Sequence, residues 1–212
     1  MKIADHIAVF SLMTTCLLVS PAVLADVFVA PFGGYSFGTR VFNIKSADAG
    51  NLENDEGGKL TFLGSENYGA MMGFTTQDPG DIYLIYSHQA IVFRTDASVS
   101  TTPMVDLDYL HIGGTLYFSK GDLQPYISAS LGLTSMRPGG KYSNETLFSM
   151  GFGAGIDYPL TSSISIFAEA RSYATFINSD SILFCDGGDC LWSINSDMMW
   201  QGQINLGAKL KF

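Results

Sequence analysis

The chain contains few charged residues, and most of its charges are acidic. Asp, Glu, Lys and Arg make up 15% of the 212 residues, and 20 acidic residues against 11 basic ones give a net charge of −9. Proteins that bind nucleic acid usually display a basic patch or stripe, because they must neutralise phosphates. No such stripe exists in this sequence, so we expect no nucleic-acid partner.

The chain also lacks a long apolar run after its first 25 residues, although hydrophobic residues make up 47% of it. A transmembrane helix needs about 20 consecutive apolar residues. Inside a bilayer, only helices and closed β-barrels satisfy all of their backbone hydrogen-bonding groups. A hydrophobic chain with no candidate helical span therefore favours a barrel.

Residues 1–25 differ in character from the rest of the chain. A lysine at the second position precedes an apolar stretch over residues 7–19, and small or apolar residues stand at the −3 and −1 positions of a cleavage site, Val23 and Ala25. This pattern is typical of a secretory signal peptide, and a buried N-terminal helix is the alternative. We therefore expect a single domain over residues 26–212.

Cysteine is scarce, with three in the whole chain. Cys185 and Cys190 lie beyond the predicted signal peptide, in the segment CDGGDC. In an exported protein such a pair predicts a disulfide that closes a small loop. Two free thiols or half of a metal site are the alternatives, but no further Cys or His cluster accompanies them. We expect no metal and no other cofactor.

The last segment of the chain alternates between apolar and polar residues. Successive side chains of a strand point to opposite faces, so the period of two predicts one apolar and one polar face. The apolar face holds Trp200, Gly202, Ile204, Leu206, Ala208, Leu210 and Phe212. The polar face holds Gln201, Gln203, Asn205, Gly207, Lys209 and Lys211.

Eight segments show this alternation, and the connections between them are alternately short and long. An even number of strands with short turns at one rim and long polar connections at the other is typical of an outer-membrane barrel. The sequence thus predicts an all-β fold, an eight-stranded antiparallel up-and-down transmembrane β-barrel. The predicted strands are about 26–37, 66–76, 81–94, 105–119, 123–136, 146–160, 163–177 and 198–212, and the long connections are 38–65, 95–104, 137–145 and 178–197.

Four charged residues fall on the faces opposite the apolar ones: Asp157, Glu169, Arg171 and Lys209. The interior of an eight-stranded barrel is just wide enough for side chains to fill it, and unpaired buried charges are costly. We therefore expect these residues to form an ion-pair network inside the barrel. A soluble eight-stranded barrel of the lipocalin type is the alternative, and it would place its apolar faces inside.

The C-terminal residues Asn205, Gly207, Leu210 and Phe212 resemble the signal by which bacterial outer-membrane barrels are recognised for assembly, with Leu210 in place of an aromatic residue. Together with the segments GGYSFG and SYATFINSDS, they make residues 26–212 similar to the OmpA/OmpX-like small outer-membrane barrels of Gram-negative bacteria. The resemblance implies location in the outer membrane and contact with its lipids and lipopolysaccharide. It also implies recognition by the barrel assembly machinery. A closed barrel has no free edge strand, so we expect a monomer.

The resemblance implies an anchor, an adhesin or a narrow channel. We expect a non-enzymatic protein that supports envelope integrity or surface interaction through its extracellular loops. A narrow pore for small solutes is one alternative. A lipid A-modifying enzyme is another, with His88 as the outward-facing base, but the sequence has no His-x-Ser pair to provide a nucleophile beside it.

Overall fold

The computed structural model describes most of the chain after the predicted signal peptide, and residues 1–25 lie outside the described part. The described residues are 26–38, 42–45, 58–62, 64–76, 79–95, 104–119, 121–138, 143–177, 182–186, 189–194 and 198–212. Only the backbone is described at 42–45, 58–62, 92–95, 182–186 and 189–194. Across these ranges, no helix is long and apolar enough to cross a membrane.

Twelve strands occur in the described ranges. They are β1 (Val27–Gly38), β2 (Phe42–Lys45), β3 (Gly58–Phe62), β4 (Ser65–Thr75), β5 (Gly80–Thr95), β6 (Met104–Tyr117), β7 (Gln124–Pro138), β8 (Glu145–Pro159), β9 (Ile164–Phe176), β10 (Ile182–Asp186), β11 (Asp189–Ile194) and β12 (Met198–Lys211). All of their pairings are antiparallel.

Eight of these strands close into a barrel. Consecutive strands from β4 to β9 pair with one another, β1 pairs with both β4 and β12, and β12 also pairs with β9. Every one of the eight predicted segments coincides with a barrel strand to within two residues at each end. The predicted eight-stranded antiparallel barrel is therefore confirmed.

The four remaining strands correct the sequence prediction, which treated 38–65 and 178–197 as polar loops. Strands β2, β3, β10 and β11 form a small sheet in the order β10-β11-β2-β3. Strand β3 joins this sheet to the barrel by pairing with the last three residues of β5, Phe93 to Thr95. These strands have only four to six residues each. Alternation over so few residues among Gly, Asn and Asp gives too weak a signal to predict a strand.

The two faces of the barrel wall decide between the membrane and the soluble type of barrel. Outward positions are apolar and exposed; Leu206, for example, is 66% exposed and Ile112 is 64% exposed. Inward positions are largely polar and buried, as Gln203 and Arg171 are. A soluble barrel would require the reverse arrangement, because its outer face meets water. The wall is thus built to meet lipid.

The seam where the first and last strands meet contains an interruption. The pairing of β1 with β12 runs up to Val29 opposite Leu210 and resumes at Phe32 opposite Gly207. Proline has no backbone N–H to donate, and Pro31 falls inside this gap. On its other side, β1 pairs with β4 without a break.

Candidate functional site: the barrel interior and the outer wall

Near the short-turn end of the barrel, where β4 meets β5 and β8 meets β9, a buried lysine lies between two carboxylates. Lys209 Nζ on β12 donates to Asp81 Oδ2 on β5 at 2.7 Å and lies 3.4 Å from Asp157 Oδ2 on β8. The hydroxyl of Tyr117 also donates to Asp81, at 2.7 Å. The Lys209 ammonium lies 4.8 Å from the centre of the Phe28 ring. This group of contacts joins strands on opposite sides of the barrel.

Farther from the short turns, an arginine–glutamate pair fills the middle of the barrel. The guanidinium of Arg171 contacts Glu169 Oε1 through Nε and donates to Oε2 through Nη2 at 3.1 Å. Arg171 Nη2 also donates to the Tyr83 hydroxyl at 3.2 Å, and the Tyr126 hydroxyl donates to Glu169 at 3.1 Å. Arg171 is 2% exposed. Neutralisation and several hydrogen bonds make such deep burial tolerable.

All four sequence-predicted charges, Asp157, Glu169, Arg171 and Lys209, lie buried inside the barrel. Among the described residues they form two separate ion-paired groups instead of the single network that we expected. The sequence analysis did not count Asp81 among the inward charges, because this residue is the first of the predicted strand 81–94 and borders a short connection. Asp81 is in fact an inward residue near the start of β5 and is 4% exposed.

Glycines on the inward face of β8 make room for these side chains. A Cβ atom on Gly153 would overlap the Ser128 hydroxyl and lie 3.1 Å from Glu169 Cδ, and one on Gly151 would overlap the Ser130 hydroxyl. The space beside these glycines is therefore occupied. The glycines leave no channel at this level of the described interior.

His111 connects the middle of the interior to a layer of hydroxyl groups. It is 1% exposed, its Nδ1 hydrogen-bonds with Ser130 Oγ at 3.1 Å, and its Nε2 hydrogen-bonds with Ser149 Oγ at 2.8 Å. Both ring nitrogens thus have partners within the protein. Two satisfied hydrogen bonds in a fully buried position indicate a structural role for this histidine.

A layer of amide side chains crosses the barrel beside the hydroxyl groups. Asn67 Nδ2 donates to Asn205 Oδ1 at 2.7 Å, and Gln203 Nε2 donates to Gln89 Oε1 at 3.2 Å. Gln89 also donates to Gln201. These contacts join β4 and β5 to β12 across the interior. The sequence analysis missed this layer because it followed charges and did not ask where the amides on the polar faces would find partners.

The end of the barrel with the long connections is filled by apolar side chains. The buried inward residues there are Ile91, Val105, Leu107, Met136, Ile177 and Met199. At the other end, a cavity of about 10 Å³ lies among residues that include Asp157, Glu169 and Lys209. This volume is close to the minimum that holds one water molecule, so side chains fill the space around these charged groups.

A second polar group, which we call the outer-wall cluster, lies on the outward face near the long-connection end. It consists of Tyr68, Tyr86, His88, Asp108 and Arg137. Asp108 Oδ1 accepts hydrogen bonds from the Tyr86 hydroxyl at 2.7 Å and from His88 Nδ1 at 2.8 Å, and Asp108 Oδ2 accepts one from Arg137 Nη2. The rings of Tyr68 and His88 are 5.0 Å apart. The sequence indicated that His88 faces outward but gave no hint of Asp108 as its partner.

The four residues of the predicted assembly signal lie at the end of β12 and share its alternation. Asn205 points inward to Asn67, while Leu210 and Phe212 point outward and are 38% and 79% exposed. A Cβ atom on Gly207 would overlap the Phe167 ring, so glycine is needed there for packing. Recognition of this segment by an assembly machinery stays a prediction.

The predicted disulfide falls outside the described side chains. The backbone register places Cys185 of β10 directly opposite Cys190 of β11, and the bond itself stays a prediction. Within the ranges that the structure describes, no group of three or more His, Cys, Asp and Glu residues is arranged to hold a metal ion.

Solved structures of outer-membrane proteins share this fold at low sequence identity. The outer membrane protein OprG from Pseudomonas aeruginosa matches with a TM-score of 0.61 at 13% identity, over 88% of this chain and 96% of OprG. Neisserial surface protein A matches with a TM-score of 0.58 at 15% identity, over 88% and 97%. The outer membrane protein AlkL matches with a TM-score of 0.52 at 14% identity, over 89% and 90%. No curated protein sequence matches this chain.

The sequence itself supplies the remaining evidence. Residues 15–212 match the family model described as outer membrane protein beta-barrel domain, which spans nearly the whole chain. The match agrees with the closed barrel and the exposed apolar wall. The predicted resemblance to small outer-membrane barrels is therefore confirmed. The chain therefore belongs to the outer membrane protein beta-barrel domain family, and its place is in the outer membrane.

Proposed function

We propose that this protein is a non-enzymatic, non-conducting outer-membrane barrel that supports envelope integrity or surface interaction through its extracellular side. The filled interior carries this proposal. Because outer-membrane barrels keep their short turns in the periplasm, the short-turn end faces the periplasm here and the outer-wall cluster lies toward the cell surface. We also propose that the barrel is monomeric and that the assembly machinery recognises β12.

The packing of the interior opposes conduction at three successive levels. An ion that entered from the periplasm would meet Lys209 between its carboxylates, then the Arg171–Glu169 pair, and finally the buried apolar residues at the far end. To pass, it would have to separate buried ion pairs, which costs several kcal/mol. The interior of an eight-stranded barrel is too narrow for an ion to bypass these side chains.

A narrow pore is the second candidate, and the polar lining of the interior favours it. The small cavity beside Asp157, Glu169 and Lys209 is close in size to one water molecule. A rearrangement of these side chains could join such spaces. The pore proposal therefore depends on motion of Arg171 or Lys209, whereas the non-conducting proposal needs none.

The absence of a paired nucleophile supports a non-enzymatic role. His88 is held by Asp108 in the manner of a catalytic base, with Nδ1 toward the carboxylate. Among the described residues, no serine, threonine or cysteine side chain hydrogen-bonds to this histidine. Without a nucleophile within hydrogen-bond reach, the dyad does not form a hydrolase site. Replacement of His88 by Ala should accordingly leave the lipid A of the membrane unchanged in mass spectrometry.

The test is the ion conductance of the refolded barrel in a planar bilayer, after heat-modifiable migration on a gel has shown that it is folded. We expect the wild-type protein to be silent. The double variant Arg171→Ala, Glu169→Ala removes the central pair without leaving a lone charge, and it should admit ions if the pair is the main obstacle. Steady, discrete openings of the wild-type barrel would overturn the non-conducting proposal and favour the pore.

A further inference from the structure

The outer-wall cluster lies at the boundary between the apolar wall and the extracellular side. Below it, the outward residues of β5, β6 and β7 are apolar and exposed: Ile82, Leu84, Leu110, Ile112, Leu131 and Leu133. His88 is eight residues beyond Gly80, where β5 begins. With a rise of about 3.4 Å per residue and a tilt of about 40°, this places His88 about 20 Å above the periplasmic edge. The lipid-facing band of such barrels is about 25 Å tall, so the cluster lies just inside its upper edge, next to the headgroups of the outer leaflet.

The hydrogen bonds within the cluster hold one cationic group in a fixed position. Asp108 receives donors from Tyr86, His88 and Arg137, and its side chain is only 12% exposed. The Arg137 side chain is 48% exposed. A guanidinium group has five N–H donors, and only Nη2 is engaged by a described residue. The Asp108 carboxylate thus fixes the guanidinium, and the remaining donors of Arg137 are available to a ligand in the adjacent headgroup region.

The other residues of the cluster add a surface suited to a sugar. His88 Nδ1 donates to Asp108, so in the neutral form of this histidine Nε2 is an acceptor. The adjacent Tyr68 ring is 61% exposed and tilted against His88 at 5.0 Å. An exposed aromatic ring offers an apolar face, and its hydroxyl offers a donor and an acceptor. Phosphate fits the planar donor fork of an arginine, and a neighbouring sugar with hydroxyl and amide groups fits the histidine and tyrosine.

We propose that the outer-wall cluster binds the phosphorylated glucosamine headgroup of lipid A in the outer leaflet, with the phosphate on Arg137 and the sugar against His88 and Tyr68. The acyl chains then lie along the apolar residues below. Asp106 and Asp108 make the surroundings acidic, so the surface does not attract phosphate through net charge. Recognition instead depends on the oriented guanidinium and the sugar contacts. This inference rests on the membrane orientation in the proposed function, but not on whether the barrel conducts.

The test measures binding of defined lipids to the folded full-length protein in detergent micelles by native mass spectrometry. The probes are bisphosphorylated lipid A, its dephosphorylated form, phosphatidylglycerol and inorganic phosphate. We expect bisphosphorylated lipid A to bind most tightly. Equal binding of phosphatidylglycerol would overturn the sugar contacts, and equal binding of dephosphorylated lipid A would overturn the role of the phosphate. Binding of inorganic phosphate as tight as that of lipid A would reassign the cluster to a free anion.

Variants then assign the binding to the cluster. Arg137→Gln should weaken lipid A binding about tenfold, as expected when one charge-assisted contact is lost. The matched control is Lys211→Gln, which removes one positive charge at the periplasmic end and should leave the affinity unchanged. Tyr68→Ala should weaken lipid A binding without changing the much weaker binding of inorganic phosphate. An Arg137→Gln protein that folds and binds lipid A like the wild type would overturn the proposal. This result is distinguishable from conductance, which reports only on the interior.

Discussion

The barrel contains two arginine–carboxylate pairs with similar partners and very different surroundings. Inside, Arg171 and Glu169 have side chains that are 0% and 3% exposed, and tyrosine hydroxyls join them. On the outer wall, Arg137 and Asp108 are 48% and 12% exposed, and a tyrosine hydroxyl again joins the carboxylate. The two charges of the interior pair must neutralise each other, because no solvent replaces a lost partner. The outer pair can lose a partner at little cost, and its exposed donors are left for a ligand.

The largest effect should follow from removal of one charge of the interior pair. Arg171→Met leaves Glu169 buried without its partner, and such a change costs about 3–5 kcal/mol of unfolding free energy. Urea-induced unfolding of the barrel in lipid vesicles measures it. The double variant Arg171→Met, Glu169→Gln should recover most of the loss, because no lone charge remains. A single variant that loses less than about 1 kcal/mol would show that water reaches this pair and would remove the contrast with the outer wall.

A somewhat smaller effect is expected at the periplasmic end of the interior. Lys209→Met leaves Asp81 and Asp157 without the cation between them, and we expect a loss of about 3 kcal/mol. The loss should be below that at Arg171, because Lys209 is slightly more exposed and lies near the end of β12. The same urea titration measures it. Lys211→Met, at a half-buried position two residues further on, is the control and should change stability little.

The smallest effect on stability should come from the outer wall. Asp108→Asn weakens the contacts to His88 and Arg137 but leaves both side chains near solvent and headgroups, so the loss should stay below about 1 kcal/mol. Unfolding under the conditions used for Arg171→Met provides the direct comparison. A loss as large as that at Arg171 would mean that the outer-wall cluster is a structural element, and its exposed donors would need another explanation.

The barrel itself could be predicted because the same alternation of apolar and polar residues is repeated along the chain. Each wall strand alternates over eleven or more residues, so eight independent segments indicated the same architecture. Inward charges could be predicted for the same reason, since Glu169, Arg171 and Lys209 follow the period of their strands. The strands β2, β3, β10 and β11 are too short for that signal.

The partners of these side chains could not be read from the sequence. Contacts such as Lys209 with Asp81, or Asn67 with Asn205, join residues more than 100 positions apart. They depend on the stagger between strands, which the alternation does not fix. His88 and Asp108 are opposite each other across β5 and β6, but only the register reveals that they meet. For this reason the sequence predicted an isolated outward histidine, and the structure shows a cluster.

The gap at Pro31 divides the pairing between β1 and β12 into two runs of unequal length. At the periplasmic end, Phe28 and Val29 pair with β12 and Val27 accepts a hydrogen bond from the Phe212 backbone, whereas above the gap the paired run extends from Phe32 to Gly38. On its other side, β12 pairs with β9 without a break from Met198 to Leu210. At the periplasmic end, β1 is therefore held mainly by β4, with which it pairs from Val27 to Ser36, and β12 is held mainly by β9.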